Sequence, residues 1–374
     1  MAHEGSRRTT LLRTESGRFQ FSMSGMKADE LLRLRLMNQH LDTPRLDDPA
    51  QLVAHLGAVQ SQDYPAARWA LGVRLRGVAD AQVEQAFAEG KILRTHVLRP
   101  TWHFVAPADI RWMLALTADR VKQAMGTYTR STGVDDAFMA RAEAAMIGAL
   151  EGGRSLTRVE LGGALREAGL DVTDAWLLGQ VMWRAEVDGV LISGPLRGRQ
   201  HTYALLEERV PAAPVLSHDE ALAELIWRYF NGHGPALVTD CSWWSGLTMS
   251  DVRRGLELNR GRLQCEKLDS REYWFASDAA PPADLTPVHL LPNFDEFTVA
   301  YRHRDLFFDR EVKRTGNPRE DIPFADVILA CGHVVGNWQR RTMETRWWVE
   351  PSALMESELQ GAISRYASFR SGRQ

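Results

Sequence analysis

Cysteine, lysine and long apolar runs are all scarce in this chain. Its three cysteines, Cys241, Cys265 and Cys331, lie far apart and lack the spacing of metal ligands. Disulfide frameworks, zinc sites and iron–sulfur clusters are therefore disfavoured, and neither a metal nor a cofactor is expected. Such cysteine usage suits a reducing cytoplasm. No apolar run is long enough to span a bilayer, so no membrane partner is expected. Residues 1–22 carry Arg7, Arg8, Arg13 and Arg18 but no apolar core of a secretory signal. They read as a disordered leader, with Met23 and Met26 just before the first helix.

A positive balance is missing too. Lysine and arginine total 45 against 48 acidic residues, a formal net charge of −3. That total does not resemble a nucleic-acid binder, but affinity for DNA depends on where cations sit rather than on their sum. Only Lys27, Lys91, Lys122, Lys267 and Lys313 are lysines; the remaining cations are arginines, whose forks match phosphate oxygens. They cluster at Arg197 and Arg199, at Arg253, Arg254, Arg260 and Arg262, at Arg302 and Arg304, at Arg340 and Arg341, and at Arg365, Arg370 and Arg373. Solvated faces explain any single cluster. Several of them falling in hairpin turns points further, towards phosphate.

With 374 residues and 44% hydrophobic content, the chain should hold two to four modules with real cores. Leucine spacing predicts a helix over 27–38, and Pro49 opens a second that runs through Val59. A third covers 65–74 with Asp63 or Tyr64 at its cap, and a fourth covers 81–89. Strand, turn and strand follow over 93–98, Arg99-Pro100 and 101–105. Helices followed by a β-hairpin are the winged-helix plan. It recurs with helices over 156–168, opened by Ser155 or Thr157, and 174–187, capped by Thr173. A wing then spans 190–205 with Arg197 and Arg199 at its tip. The 174–187 helix is either the reader of this unit or a structural element.

A third copy follows Pro211-Ala212-Ala213-Pro214. It has helices over 218–230, 238–244 and 249–258, the last capped by Thr248 or Ser250, and strands over 262–268 and 272–276. Beyond Pro281-Pro282 the character changes. Short β-like stretches over 288–291, 298–301, 327–330, 332–340 and 346–349 suggest a small barrel or curled sheet, and 351–369 is an amphipathic helix. The expected class is α+β: three tandem winged-helix units, then a C-terminal small β-barrel with a terminal helix. The expected divisions are 1–22, 23–106, 107–210, 211–282 and 283–374.

One short connection stands out. Ala58-Val59-Gln60-Ser61-Gln62-Asp63-Tyr64-Pro65 places two glutamines two residues apart, on one side if the loop is extended. Neutral amides both donate and accept hydrogen bonds, enough to hold a water or a base edge. Two solvent-facing loop residues would read the same way. Thr101 and His103 share a strand face, so His103 reaches either phosphate or this loop, or is a buried, hydrogen-bonded histidine. Asp63 is an assisting base or, more simply, a helix cap. In Phe294-Asp295-Glu296-Phe297 the two carboxylates are adjacent and so do not face each other, which argues against an acid/base dyad.

Taken together, the Gln-x-Gln loop, the Arg94-Thr95…Arg99-Pro100-Thr101-Trp102-His103 hairpin and Leu290-Leu291-Pro292-Asn293-Phe294-Asp295-Glu296-Phe297 resemble the winged-helix DNA glycosylases of the azinomycin-resistance type. The resemblance runs from about residue 27 to the C-terminus. It implies three winged helices and a β-barrel curved around DNA, and excision of N7-alkylated purines, with bulky adducts and interstrand crosslinks among the substrates. It places the catalytic pair on Gln60 and Gln62. The intervening residue is usually apolar in that family and is Ser61 here.

The chemistry suits amides. Glycosidic hydrolysis passes through an oxocarbenium-like sugar and ordinarily uses carboxylates. An N7-alkylguanine is already cationic and departs without protonation, so the protein has mainly to position water and favour the sugar cation. No helix-hairpin-helix signature and no Schiff-base lysine lies near the glutamines, so the reaction should be monofunctional. An open groove would let the base react near the duplex without aromatic walls around it. Arg197, Arg199, Arg340 and Arg341 are phosphate-contact candidates. The expected partner is double-stranded DNA carrying alkylated purines, bound by a cytoplasmic monomer. A non-catalytic winged-helix transcription regulator is the alternative, although no dedicated dimerisation helix is evident.

Overall fold

The computed structural model describes residues 12–13, 19–20, 27–42, 44–130, 134–276, 288–308 and 324–372. β1 (Leu12–Arg13) and β2 (Phe19–Gln20) pair antiparallel. The rest of the expected leader, and the expected boundary at Pro281-Pro282, lie outside the described residues.

The first unit starts with α1 (Ala28–Asn38) and α2 (Pro49–Leu56). Asp48 caps α2 by accepting from the Ala50 N–H, and Pro49 sits where its missing N–H costs nothing. α2 does not reach Val59. Gly57 takes a φ of 78°, which only glycine adopts freely. It turns the chain sharply into β3 (Ala58–Gln60). After α3 (Tyr64–Gly72) and α4 (Asp80–Ala88) come β4 (Leu93–His96) and β5 (Trp102–Val105), making a three-stranded antiparallel sheet in the order β3-β5-β4.

Two helices that periodicity had not singled out follow, α5 (Ile110–Arg130) and α6 (Asp136–Leu150). They lead into the same plan again: β6 (Leu156–Thr157), α7 (Arg158–Glu167), α8 (Ala175–Val187), β7 (Leu191–Ser193) and β8 (Thr202–Leu205), with strand order β6-β8-β7. Thr157 caps α7. The cap of α8 is Asp174, which accepts from the Leu177 N–H, and not Thr173, whose hydroxyl turns back to Asp171. After α9 (Leu206–Arg209), the third unit contains α10 (His218–Gly232), α11 (Val238–Ser245) and α12 (Met249–Leu258), the last capped by Thr248. Among the described residues its sheet is the hairpin of β9 (Leu263–Leu268) and β10 (Arg271–Ala276), widened by a bridge from Ala236 to Trp274.

Among the described residues the C-terminal region closes no barrel. β11 (His289–Leu291), β12 (Val327–Ala330), β13 (His333–Trp338) and β14 (Thr345–Trp347) form an open antiparallel sheet in sequence order, so β11 and β14 remain edges. Residues 298–301 are not a strand either. α13 (Glu296–Val299) occupies that place because Asp295 caps it, accepting from the Phe297 N–H. α14 (Ala353–Ser371) packs beside β11 and against α3, with Tyr366 and Phe369 ring centroids each 5.0 Å from that of Trp69.

One apolar core joins the first, third and C-terminal regions, with Leu56, Phe104, Tyr229, Trp244, Phe297 and Val327 all buried in it. The second unit keeps a core of its own around Met146, Leu161 and Val181. Among the described residues no helix is long and apolar enough to cross a membrane, and no cluster of His, Cys, Asp and Glu could hold a metal ion.

The shared core contains a paired charge. Arg74 and Asp295 are 1% and 0% exposed and meet fork to fork, at 2.7 and 2.6 Å. Arg74 also donates to Gln39 Oε1, and the Gln39 amide donates to the Tyr301 hydroxyl, which donates to the His233 carbonyl. Removing one member of such a pair strands the other charge in a low dielectric. Arg74→Met should therefore lose about 3–5 kcal/mol of stability, read as a lower denaturant midpoint. An unchanged midpoint would mean that the pair does not hold α3 to the C-terminal region.

Candidate functional site

The Gln-x-Gln segment begins as a strand and ends as a helix cap. Gln60 is the last residue of β3 and pairs with His103 across the sheet. The Ser61 N–H donates to the Trp102 carbonyl at 2.7 Å, and the Ser61 carbonyl accepts from Arg94 Nε at 3.1 Å. Asp63 then caps α3 by accepting from the Ala66 N–H. The segment is thus fixed at three successive points before its side chains are considered.

The two glutamines differ. Gln60 is buried, 8% exposed, and its Oε1 lies 3.4 Å from Arg99 Nη2. Gln62 is exposed, and its Oε1 accepts from the Trp102 backbone N–H at 3.4 Å. Both amides therefore lean on the same hairpin, Gln60 from inside and Gln62 from the surface. Ser61 between them is fully buried, and its hydroxyl has no protein partner. An apolar residue would lose nothing there.

Behind Gln60 stands a residue that sequence reasoning had set aside. Glu296 is fully buried, accepts from the Gln60 N–H at 2.6 Å, and accepts from Trp244 Nε1 at 3.1 Å. His233 Nε2 is 3.3 Å away, without the alignment of a hydrogen bond. Burial works against the charged form of Glu296. The neighbouring His233, Arg99 and Gln60 N–H outweigh it and bring the pKa down to about 2. Its neighbour Asp295 points the other way, to Arg74. The adjacent carboxylates do not form a dyad. The signal for Glu296 was there in principle: an acid framed by Phe294 and Phe297 has no solvent to turn to.

The other candidates are accounted for as follows. His103 is fully buried and out of reach of any external phosphate. Its Nδ1 donates to the Thr101 carbonyl at 2.8 Å, while its Nε2 faces Arg99 Nη2 at 3.3 Å. A carbonyl can only accept and a guanidinium can only donate, so this is the neutral Nδ1–H tautomer. Burial, reinforced by Arg99, lowers its pKa to about 3. Thr101 precedes β5, and its hydroxyl is buried without a protein partner.

Asp63 does more than cap. Arg340 Nη2 donates to it at 2.7 Å, and also to Asn293 at 3.0 Å, while Arg340 Nε lies 2.8 Å from Asp326. Burial again opposes the charge on Asp63, but Arg340 and the Ala66 N–H keep its carboxyl below the usual range. Arg340 is consequently a clamp between the loop and the C-terminal sheet. Arg197 is exposed but engaged with Glu160 and the Ser155 carbonyl, each at 2.7 Å. Arg199 and Arg341 are exposed.

Beside the loop lies a cleft of about 250 Å³ between the β4–β5 hairpin, α5, α8 and β8, walled by Trp102, Trp176, Trp183 and Tyr203. At its base Glu186, fully buried, meets His96 Nδ1 at 2.7 Å. Trp102 and His103 point to opposite faces of the β3-β5-β4 sheet, so this cleft lies across the sheet from the Gln60 side chain, which pairs with His103.

Comparison with known proteins is consistent along most of the chain. The model of the "DNA glycosylase AlkZ-like" family matches residues 53–369. A relative from Streptomyces sahachiroi named "Interstrand DNA cross-link repair glycosylase" is 24% identical over 333 residues, 84% of this chain and 88% of that protein. The solved structure of Streptomyces sahachiroi DNA glycosylase AlkZ is similar with a TM-score of 0.74 at 21% identity, covering 92% of this chain and 97% of the other.

Two outcomes test this description. His103 should keep one neutral Nδ1–H tautomer in nitrogen-resolved NMR down to about pH 5, because a pKa this far below the usual value leaves the ring uncharged there; a titration near pH 6–7 would contradict it. Ser61→Ala removes a buried unpaired hydroxyl and should leave stability equal or higher by about 1 kcal/mol. A clear loss would mean that the hydroxyl has a partner.

Proposed function

Because this chain belongs to the AlkZ-like DNA glycosylase family, we propose that it hydrolyses the N-glycosidic bond of N7-alkylated purines in double-stranded DNA, with Gln60 and Gln62 positioning the attacking water. The observation that carries this reading is the paired amides themselves. One is held by the sheet and the other is open to solvent, and the titratable groups around them, Glu296, His103 and Asp63, are already committed to other partners. A site of that kind has no general acid to protonate a neutral leaving group. It suits a base that leaves as a neutral molecule from a cationic nucleoside. The same weakness spares undamaged guanine.

The residues divide the work. Gln60 and Gln62 accept from the water and aim it at C1′, which removes orientational freedom before the bond breaks. The Glu296 carboxylate behind the Gln60 amide contributes negative potential that favours the sugar cation, partly offset by Arg99. Arg94 and Arg340 fix the two ends of the segment. In the same reading the three helical units are winged helices, and Arg199, Arg341 and the outer face of Arg197 meet phosphates. The protein acts as a monomer in the cytoplasm. Bulky N7 adducts and crosslinks fall within its range because Gln62 is exposed and the Streptomyces relative bears the name of a crosslink-repair glycosylase.

Duplex containing 7-methylguanine should acquire alkali-labile sites on incubation with the protein. Gln60→Ala and Gln62→Ala should each lower the single-turnover rate by at least about tenfold while duplex affinity holds, as expected for groups that act in the transition state. Rates equal to the parent would remove the glutamines from the mechanism. The rate should also be flat between about pH 5.5 and 8, since His103 is neutral and Asp63 ionised across that window. A limb near pH 6–7 would point to a general acid or base. Borohydride should trap no covalent complex, because among the described residues no lysine stands by the loop.

A further inference from the structure

We propose that Arg99 and His103 are positioning residues that fix the side-chain amide of Gln60 in one orientation for the excision step. The inference deepens the proposed reaction and rests on it for the task of Gln60. A terminal amide turns about a broad, two-fold torsion, and its two ends have nearly the same shape until a partner tells carbonyl from amino group. An amide that is to hold a water in one place needs such a partner. Register supplies the neighbours. Gln60 stands opposite His103 and His103 opposite Thr95, so the three side chains lie on one face of the β3-β5-β4 sheet.

Donors and acceptors on that face can be counted. The Thr101 carbonyl accepts from His103 Nδ1 at 2.8 Å, which leaves Nε2 an acceptor. Burial and Arg99 bring the pKa of the ring down to about 3, so Nε2 stays an acceptor throughout the neutral range. Arg99 Nη2 carries two hydrogens and has two acceptors, His103 Nε2 at 3.3 Å and Gln60 Oε1 at 3.4 Å. A guanidinium cannot accept, so the carbonyl of Gln60, and not its amino group, must face it. One lone pair of Oε1 is taken in this way and the second is left for the water. Both contacts are long, as the hydrogen bonds of a site often are before substrate draws it together.

The hairpin tip is held so that Arg99 turns back over this face. Leu98 has a φ of 64°, a conformation that side chains of its size rarely take and that persists only where the surroundings impose it. Two neighbours do so. The Leu98 N–H donates to the Thr117 hydroxyl at 3.3 Å, and Gly246 lies so close that a Cβ there would collide with the Leu98 carbonyl oxygen. The Arg99 N–H donates to the Val97 carbonyl and the Thr101 N–H to the Arg99 carbonyl, each at 2.7 Å, which closes the tip on both sides of Arg99. Charge alone would act in the opposite sense. A guanidinium near a forming sugar cation slows the reaction, so its removal should speed a site in which Arg99 is only a charge and slow one in which it aims Gln60.

The test uses the full chain in two measurements, one of which needs no catalysis. With glutamine side chains labelled for nitrogen-resolved NMR, the Gln60 amide signal is identified by its loss in Gln60→Ala. It should be ordered and slow to exchange in the parent. It should become mobile in Arg99→Met, and in His103→Leu, which removes the acceptor that steadies Arg99. Arg99 is half-buried, so Arg99→Met should fold, and His103→Gln, which keeps an acceptor near the place of Nε2, should restore part of the order lost in His103→Leu. Single-turnover excision of 7-methylguanine should fall about tenfold in Arg99→Met, the scale of coupling between groups in contact, with duplex affinity retained. In a Gln60→Ala background the same substitution should change the rate by less than about twofold, because no amide is left to orient. A rate that rises in Arg99→Met, or that falls equally with and without Gln60, would overturn the assignment. So would a Gln60 amide as ordered in Arg99→Met and His103→Leu as in the parent, whatever the excision rates. Order lost in the variants of a protein that excises nothing would leave the positioning contact standing and remove the glycosylase reading instead.

Discussion

Two adjacent carboxylates on one short turn organise this molecule. Asp295 and Glu296 are both fully buried, and a buried charge is tolerated only where something pairs with it. Asp295 draws Arg74 in from the end of α3. Glu296 draws in the Gln60 N–H at the end of β3 and the Trp244 indole from α11. Three parts of the chain, more than two hundred residues apart at the extremes, are thereby held at one point. The Gln-x-Gln segment connects β3 to α3, so the same turn holds the segment at its start and, through α3, at its far side.

This arrangement makes the segment rigid in one place and open in another. The Gln60 and Ser61 backbone is held by Glu296, Trp102 and Arg94, and Asp63 is held through its side chain by Arg340. The Gln62 side chain alone reaches outward, against a single long contact to Trp102. Preorganised dipoles act without reorganising when charge develops, whereas a side chain that must meet a duplex needs freedom to adapt. In the proposed mechanism Gln60 takes the first role and Gln62 the second. Changes at Arg74 or Glu296 should therefore be felt at Gln60 before they are felt at Gln62.

Much of the architecture was legible because it is written in local signals. The Arg99-Pro100 turn between two β-rich runs, the Asp63 and Thr157 caps and the hairpin of the 262–268 and 272–276 runs all act over a few residues, and all appear where those residues place them. The failures have distinct causes. The apolar run 49–59 continues past Gly57, so periodicity alone could not end α2 where backbone conformation ends it. Thr298 and Val299 favour strands, but the Asp295 cap and its pairing with Arg74 override them. The open C-terminal sheet looked like a barrel because strand count says nothing about closure. Glu296 was legible as a residue but not as a participant, since its partners Gln60 and Trp244 are far away in sequence.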